Sequence, residues 1–455
     1  MKVILLSGGS GKRLWPVSNN TRSKQFLKVL TGEGEELESM SQRVYRQLKK
    51  FISEENIYIS TNKSQLDLIT NQLGENVNLI IEPALKDTFP AITLATLYLH
   101  DIIGVDENEV IIVLPVDIFV EDKFFNILVE LEQLISNNNV DLGLVGVKPN
   151  YPASKYGYIL LDTTEGSNSR IKGFIEKPNE IIANDLIEKG ALWNCGVFAF
   201  KKSFMMEILE IKNIPLSYNQ YYEMYESVEK NSFDYEVVEN VKNAVAIPYF
   251  GGWKDLGSWN TLKDEIKETI IGKGIVSDDS TNTILINELD IPIIVQGMKD
   301  SIVVASPDGI LVTNHEDGNL KNLVSTFENR PMFEERRWGW YRVLDYTKTE
   351  DNDEVLTKRI CIKKGKNLSY QYHYKRSEVW TIIKGHGKFI LDDLIFDVYP
   401  GDVLQIDVGR KHAIKAISDI EIIEIQRGSQ LIEEDIVRIS MEWDEIESSL
   451  IEIVK

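Results

Sequence analysis

The residues of this chain with the plainest chemistry crowd its first few turns. The apolar run Val3, Ile4, Leu5 and Leu6 reads as a buried parallel strand, and it breaks at once into Ser7-Gly8-Gly9-Ser10-Gly11. Glycines at that density let the backbone approach a ligand closely, with successive N–H groups turned toward phosphate oxygens. Lys12, Arg13 and Lys24 bring cations to the same place, so strand, loop and cations together make a phosphate site. Two familiar loops do not fit. A Walker loop needs Ser or Thr after Gly-Lys and a glycine where Leu6 stands, but Gly11-Lys12 is followed by Arg13. The dinucleotide fingerprint would put a glycine at Leu14. A carboxylate follows further on, where Leu114-Pro115-Val116-Asp117 closes another apolar strand. Asp117 there suits Mg²⁺, a hard cation that prefers oxygen ligands, although a lone Asp after a strand also serves as a helix cap.

The segment GGSGKRLWP (Gly8 to Pro16), followed by Lys24-Gln25-Phe26, resembles the signature of the sugar nucleotidyltransferases, in the mannose-1-phosphate guanylyltransferase branch. Ser23 stands where that family usually has Pro. Further stretches resemble the family in order: Glu82-Pro83 with Asp87-Thr88-Phe89-Pro90-Ala91-Ile92, Leu114 to Asp117, Tyr156-Gly157-Tyr158-Ile159, Phe174 to Pro178, Trp193-Asn194-Cys195-Gly196, and Gly252 to Trp259. The resemblance implies that Gly8, Gly9, Ser10, Gly11, Lys12, Glu82 and Thr88 enclose the nucleotide. It makes Arg13 and Lys24 catalytic, and Asp117 and Asp255 the carboxylates for Mg²⁺. Gly157, Glu176, Lys177 and Asn194 would surround the sugar phosphate. Glu176 and Asn194 can hydrogen-bond hydroxyls, and Lys177 can meet a phosphate. Ile118 departs from the family's His after Asp117. The implied reaction joins GTP and α-mannose 1-phosphate into GDP-mannose and pyrophosphate, a step of polysaccharide biosynthesis. Another sugar 1-phosphate such as a heptose, or a non-catalytic sugar-nucleotide binding protein, stay open on single residues alone.

Toward the C-terminus, Arg337-Trp338-Gly339-Trp340-Tyr341, then Gln371 to Glu378, then Pro400-Gly401-Asp402 with Gly409 and His412, resemble the cupin domain of bifunctional phosphomannose isomerase/guanylyltransferases. Gln371, His373, Glu378 and His412 would be its ligands for Zn²⁺ or another divalent metal. Lys375 and Val379 stand where that family has histidines. A protonated lysine at a ligand position repels a divalent ion, so isomerisation of mannose 6-phosphate and a silent barrel both stay open.

The elements that must position these groups follow from patterning. Apolar residues at 37, 40, 44, 48 and 51 step at helical spacing over Leu37 to Phe51. Helices are expected over Ser64 to Leu73 and Asp87 to His100, and strands over Ile57 to Ile59, Val77 to Ile81 and Val110 to Leu114. That alternation predicts a Rossmann-like α/β domain with a mostly parallel sheet over 1–270. Short β-like runs then suggest a β-helical segment over 271–328 with no chemistry of its own. Residues 329–342 read as a linker, and 343–455 as an all-β cupin barrel.

With 455 residues, 43% of them hydrophobic and 27% charged, the chain is expected to be globular. A formal net charge of −21 excludes a general nucleic-acid binder, and it means that polyanionic substrates need local cations and metal. Two cysteines, Cys195 and Cys361, give no disulfide framework and fit a reducing cytoplasm, and no stretch reads as a signal peptide or membrane span. A homo-oligomer, a dimer, is expected. His100, His315 and His386 read as structural.

Overall fold

The computed structural model describes every residue except 10, 11, 20, 138–139, 163–168, 315–319, 328–329, 433–434 and 454–455. Ser10, Gly11 and His315 thus lie outside the described residues, as does the side chain of Lys12.

Val3, Ile4 and Leu5 are fully buried in succession because the strand Lys2–Leu6 runs through the middle of a nine-stranded sheet covered on both faces. Across the sheet the strands run Asn78–Glu82, Ile57–Asn62, Lys2–Leu6, Val110–Pro115, Leu192–Lys201, Leu142–Val147, Ala244–Tyr249, Ser169–Ile175 and Tyr158–Leu161. The first four are parallel, in the register Leu5 to Ile59 and Leu5 to Leu114. Leu192–Lys201 then runs antiparallel to both of its neighbours, so the sheet has a parallel half and a mixed half. Period-two alternation sends Val3 and Leu5 into one apolar core, and Ile4 into the other.

The helix of the Leu37 to Phe51 pattern spans Met40–Leu48 only. A capping box sets its start: Ser39 Oγ accepts from the Gln42 amide at 3.1 Å, and Gln42 Oε1 accepts from the Ser39 amide at 3.0 Å. Leu37–Glu38 pairs instead with Leu30–Thr31 as a short ribbon. The helix Thr88–Tyr98 buries residues all round because it is packed between the sheet and a further helical layer that contains Tyr218–Met224.

Past the sheet, Ile270–Gly272, Ile284–Asn287 and Ser301–Ser306 stack in parallel, as do Gly274–Val276 and Ile293–Val295. This coiled stack packs on the end of the signature loop. Ser306 Oγ donates to Pro16 O at 2.7 Å, Trp259 Nε1 donates to Trp15 O at 3.0 Å, and Leu14 and Val17 share a core with Ile284, Ile302 and Val304. A Cβ on Gly309 would lie 2.5 Å from Trp15 Cζ2, so the indole needs glycine there.

The rest is an antiparallel barrel. One sheet holds Phe333–Arg336, Gly339–Lys348, Glu354–Ile362, Ile420–Gly428, Arg376–Lys384 and Val403–Ile406 in that order, and the other holds Leu394–Val398, Gly387–Leu391, His412–Ala416, Asn367–His373 and Ile436–Ser440. The expected linker over 329–342 needs correcting. Phe333–Arg336 pairs with Gly339–Lys348 as the outer hairpin of the barrel, with Glu334 and Tyr341 buried. Charged residues on both faces of the hairpin, the buried Glu334 included, hide the alternation in the sequence. Asn71 Nδ2 donates to Arg336 O at 2.9 Å, and Lys366 Nζ lies 2.9 Å from Glu75 Oε1, so the barrel touches the helix Leu66–Leu73 and the turn after it.

Candidate active site

Asp117 and Asp255 are far apart in sequence, and a two-stranded ribbon brings them together. Trp253–Asp255 runs antiparallel to Ile118–Val120, with Asp255 opposite Ile118 and so beside Asp117. Ile118, at the family's His position, is buried and serves this pairing. Lys24 Nζ sits between the two carboxylates, 2.6 Å from Asp117 Oδ2 and 3.6 Å from Asp255 Oδ1. Burial pushes the Asp117 pKa up, but the Lys24 ammonium, together with a backbone hydrogen bond and the Arg13 charge, outweighs it and holds the carboxyl below its usual range. Burial likewise pushes Lys24 down, and the two carboxylates more than offset it.

The signature loop is tied to this point by side chains. Ser23 Oγ donates to Gly9 O at 2.8 Å and accepts from Gln65 Nε2 at 2.8 Å, and Gln25 Nε2 donates to Ser7 O at 2.6 Å. Ser23, the departure from Pro, thus helps hold the loop. Arg13, Lys24, Asp117, Asp255 and Asn194 line one cleft of about 240 Å³. Glu82 lies at the far side of the loop, where a Cβ on Gly8 would come 3.5 Å from its Oε1. Its carboxylate accepts from Ser60 Oγ at 3.0 Å and from Tyr225 OH at 2.9 Å, and burial raises its pKa. Thr88 Oγ1 accepts from the Phe233 amide at 2.8 Å and so anchors the start of its helix.

The remaining predicted residues gather next to Asn194, whose amide donates to Gly157 O at 2.8 Å, and do not themselves line the cleft. Lys177 Nζ is 2.6 Å from Glu176 Oε1, and a Cβ on Gly157 would lie 2.5 Å from Glu176 Oε2. Asn194 Nδ2 donates to Asp234 Oδ1 at 2.7 Å. Asp234 is absent from the motifs that guide the sequence reading; its signal is only an acid near Tyr235 in a helical stretch. Burial, then the charge of Glu176, pushes its pKa up to about 7. The folded chain therefore holds a proton that the unfolded chain loses near pH 4, and stability should fall as pH rises from about 4 to 7. In Asp234→Asn that component should vanish; thermal melting from pH 4 to 8 checks this, and equal pH slopes in both proteins would refute it. Tyr156 opens one of the family-like stretches, where only Gly157 is expected at the site, and it too belongs to the cleft. Its ring packs on Trp193 at 4.9 Å and Trp253 at 5.4 Å.

In the barrel, ligand atoms of His373, Glu378 and His412 all lie within 4.8 Å of one another, fully buried. His412 Nδ1 lies 3.0 Å from Arg410 O, which fixes it as the donor and leaves Nε2 as a lone pair with no hydrogen-bond partner. Burial lowers the His373 pKa to about 4, and it also lowers that of His412. Glu378 drops to about 2 because the imidazoles and the Arg376 guanidinium, 2.9 Å away, outweigh its burial. Gln371 pairs in register with His412 and takes the Ser369 hydroxyl at 2.7 Å. An orphaned buried imidazole nitrogen facing a carboxylate fits a divalent metal. Lys375 needs correcting as a ligand-position cation. It lies in the tight turn between Asn367–His373 and Arg376–Lys384, and its Nζ reaches Gln430 Oε1 at 2.7 Å on the surface. Val379 faces outward by strand alternation. Neither departure falls in the cluster. His100 is 3.1 Å from Lys202 Nζ and His386 is 3.2 Å from Ser418 Oγ, both away from these centres.

The sheet thus brings Arg13 of the signature loop, two facing carboxylates and the lysine between them into one cleft. The nucleotidyl transferase family model matches residues 2–270 and the mannose-6-phosphate isomerase C-terminal model matches 328–441, and the chain belongs to the nucleotidyl transferase family. That family acts on a nucleoside triphosphate and a sugar 1-phosphate, and both families typically use divalent metals. The chain is 30% identical to a mannose-1-phosphate guanylyltransferase of Salmonella montevideo, over 96% of this chain and 98% of that one. It is 29% identical to one from Sinorhizobium fredii, over 96% and 90%. A crystal structure of a Thermus thermophilus protein, described as mannose-1-phosphate geranyltransferase, superposes with a TM-score of 0.61 at 24% identity, covering 72% of this chain and 99% of that one, and shares the fold. Among the described residues no helix is long and apolar enough to cross a membrane.

Proposed function

We propose that the chain is a mannose-1-phosphate guanylyltransferase whose barrel isomerises mannose 6-phosphate. The observation that carries the transferase reading is Lys24 set between Asp117 and Asp255, in one cleft with Arg13 and Asn194. The name shared by the Salmonella and Sinorhizobium relatives supports GTP and mannose 1-phosphate as the substrates.

A phosphate oxygen of mannose 1-phosphate attacks the α-phosphorus of GTP in line. The bond from that phosphorus to the bridging oxygen breaks, and pyrophosphate leaves with the electron pair. Such a transfer asks the protein for positioning and charge neutralisation rather than covalent chemistry. The loop over 8–11 with Lys12 and Arg13 holds the triphosphate, and Lys24 meets charge developing on the phosphates. Glu82 and Thr88 hold the nucleotide wall in place. Glu176 and Asn194 orient the sugar hydroxyls, Lys177 meets the sugar's phosphate, and Gly157 leaves room for Glu176. Asp117 and Asp255 would hold Mg²⁺, which supplies further neutralisation of the two phosphate groups. In the barrel, Gln371, His373, Glu378 and His412 would hold Zn²⁺ or another divalent metal, whose role is to polarise the sugar carbonyl. On this reading the chain divides at 1–270, 271–328 and the barrel beyond.

The test is a panel of nucleoside triphosphates and sugar 1-phosphates read by coupled pyrophosphate release. Release should be fastest with GTP and mannose 1-phosphate. Release with another sugar phosphate alone would keep the fold and move the substrate, and silence with every pair would leave a binding protein.

A further inference from the structure

A cavity of about 550 Å³ lies where the barrel meets the N-terminal sheet, within the ~300–1,000 Å³ range of small-ligand pockets. Its inner end is barrel, lined by Glu378 of the buried cluster and by the half-buried Gln371. Its rim includes Lys63, Leu66 and Asp67, from the turn and helix that follow the strand Ile57–Asn62, and also Tyr222. The barrel site therefore opens toward the other unit, whose residues form part of its mouth.

The rim is cationic in a chain of net charge −21. Arg336 and Arg337 there are engaged by Glu334 and Glu442. Lys63 and Arg438 are exposed, and among the described residues neither has an ion-pair partner. Two unpaired cations, one from each unit, at the mouth of a cavity that ends on a carboxylate and a carboxamide, match a molecule with a phosphate at one end and hydroxyls at the other.

We propose that this cavity is a single sugar-phosphate site built by both units, in which Lys63 and Arg438 take the phosphate while the sugar faces Gln371 and Glu378. It rests on the isomerase reading of the barrel and adds that the barrel's site is incomplete without the N-terminal unit. Lys63 and Arg438 are positioning residues, remote from the reacting carbons.

The test uses the full chain. Binding of mannose 6-phosphate and of inorganic phosphate is measured by calorimetry, and isomerisation of mannose 6-phosphate by initial rates. Lys63→Ala and Arg438→Ala should each raise the Kd and KM for mannose 6-phosphate about tenfold, the scale of one charge-assisted hydrogen bond, with kcat within about twofold. Lys63→Arg should restore binding, and inorganic phosphate should compete in the wild type but much less in either alanine variant. Unchanged Kd and KM in both alanine variants would overturn the shared site, even with a fully active isomerase. Weakened binding in both, with no isomerisation by any protein, would keep the shared site and remove the isomerase reading.

Discussion

Asp117→Asn should lower kcat for pyrophosphate release by about 10²–10³-fold, the range for loss of one preorganised charge-stabilising group, while the chain stays folded. The fold should survive because Asp117 keeps 27% of its side chain exposed, Asn fills the same volume, and Asp255 still faces Lys24. What disappears is half of a paired carboxylate site, and with it the oxygen charge that suits Mg²⁺. Initial rates at saturating GTP and mannose 1-phosphate, with a melting curve as control, measure it. Turnover near wild type would remove Asp117 from the chemistry.

Lys24→Ala has a different signature, because here stability and activity separate. Without the ammonium, Asp117 and Asp255 face one another uncompensated. The cost for a fully buried pair losing one partner is about 3–5 kcal/mol, and partial exposure of both carboxylates reduces it to about 2. The Asp117 pKa should rise in the variant, since burial then acts with less opposition. Added Mg²⁺ should recover the lost stability, raising the melting temperature of Lys24→Ala more than that of the wild type. Activity should stay low even at saturating Mg²⁺, because no cation replaces Lys24 at the phosphates. Equal Mg²⁺ effects on both melting temperatures would mean that the carboxylate pair does not hold the ion.

Much of this was legible in the chain because local physics and fold agree there. The run Val3 to Leu6 is buried on both faces, and a central parallel strand must read that way. Periodicity placed the helix containing Val44 and Leu48, but its start waits for the Ser39 cap, and Leu37 was lost to a ribbon. The juxtaposition of Asp117 with Asp255 needed the 118–120 and 253–255 pairing, which no local pattern shows. Asp234 was missed because its role comes from neighbours at 176, 177 and 194. Lys375 misled for the opposite reason. Its type suggested repulsion inside the site, while a tight turn carries it to the surface. The hairpin at 333–336 was hidden by the density of charge in Glu334, Glu335, Arg336 and Arg337.

The central claim is that the glycine loop, Lys24 and the Asp117–Asp255 pair form one metal-dependent transfer site. Phosphorus NMR of GTP with mannose 1-phosphate, in Mg²⁺ and then after EDTA, tests it most directly. GDP-mannose and pyrophosphate should appear together in equal amounts, stop on chelation, and resume when Mg²⁺ is restored. Formation that continues unchanged in excess EDTA, or GTP consumed with no sugar nucleotide formed, would contradict it.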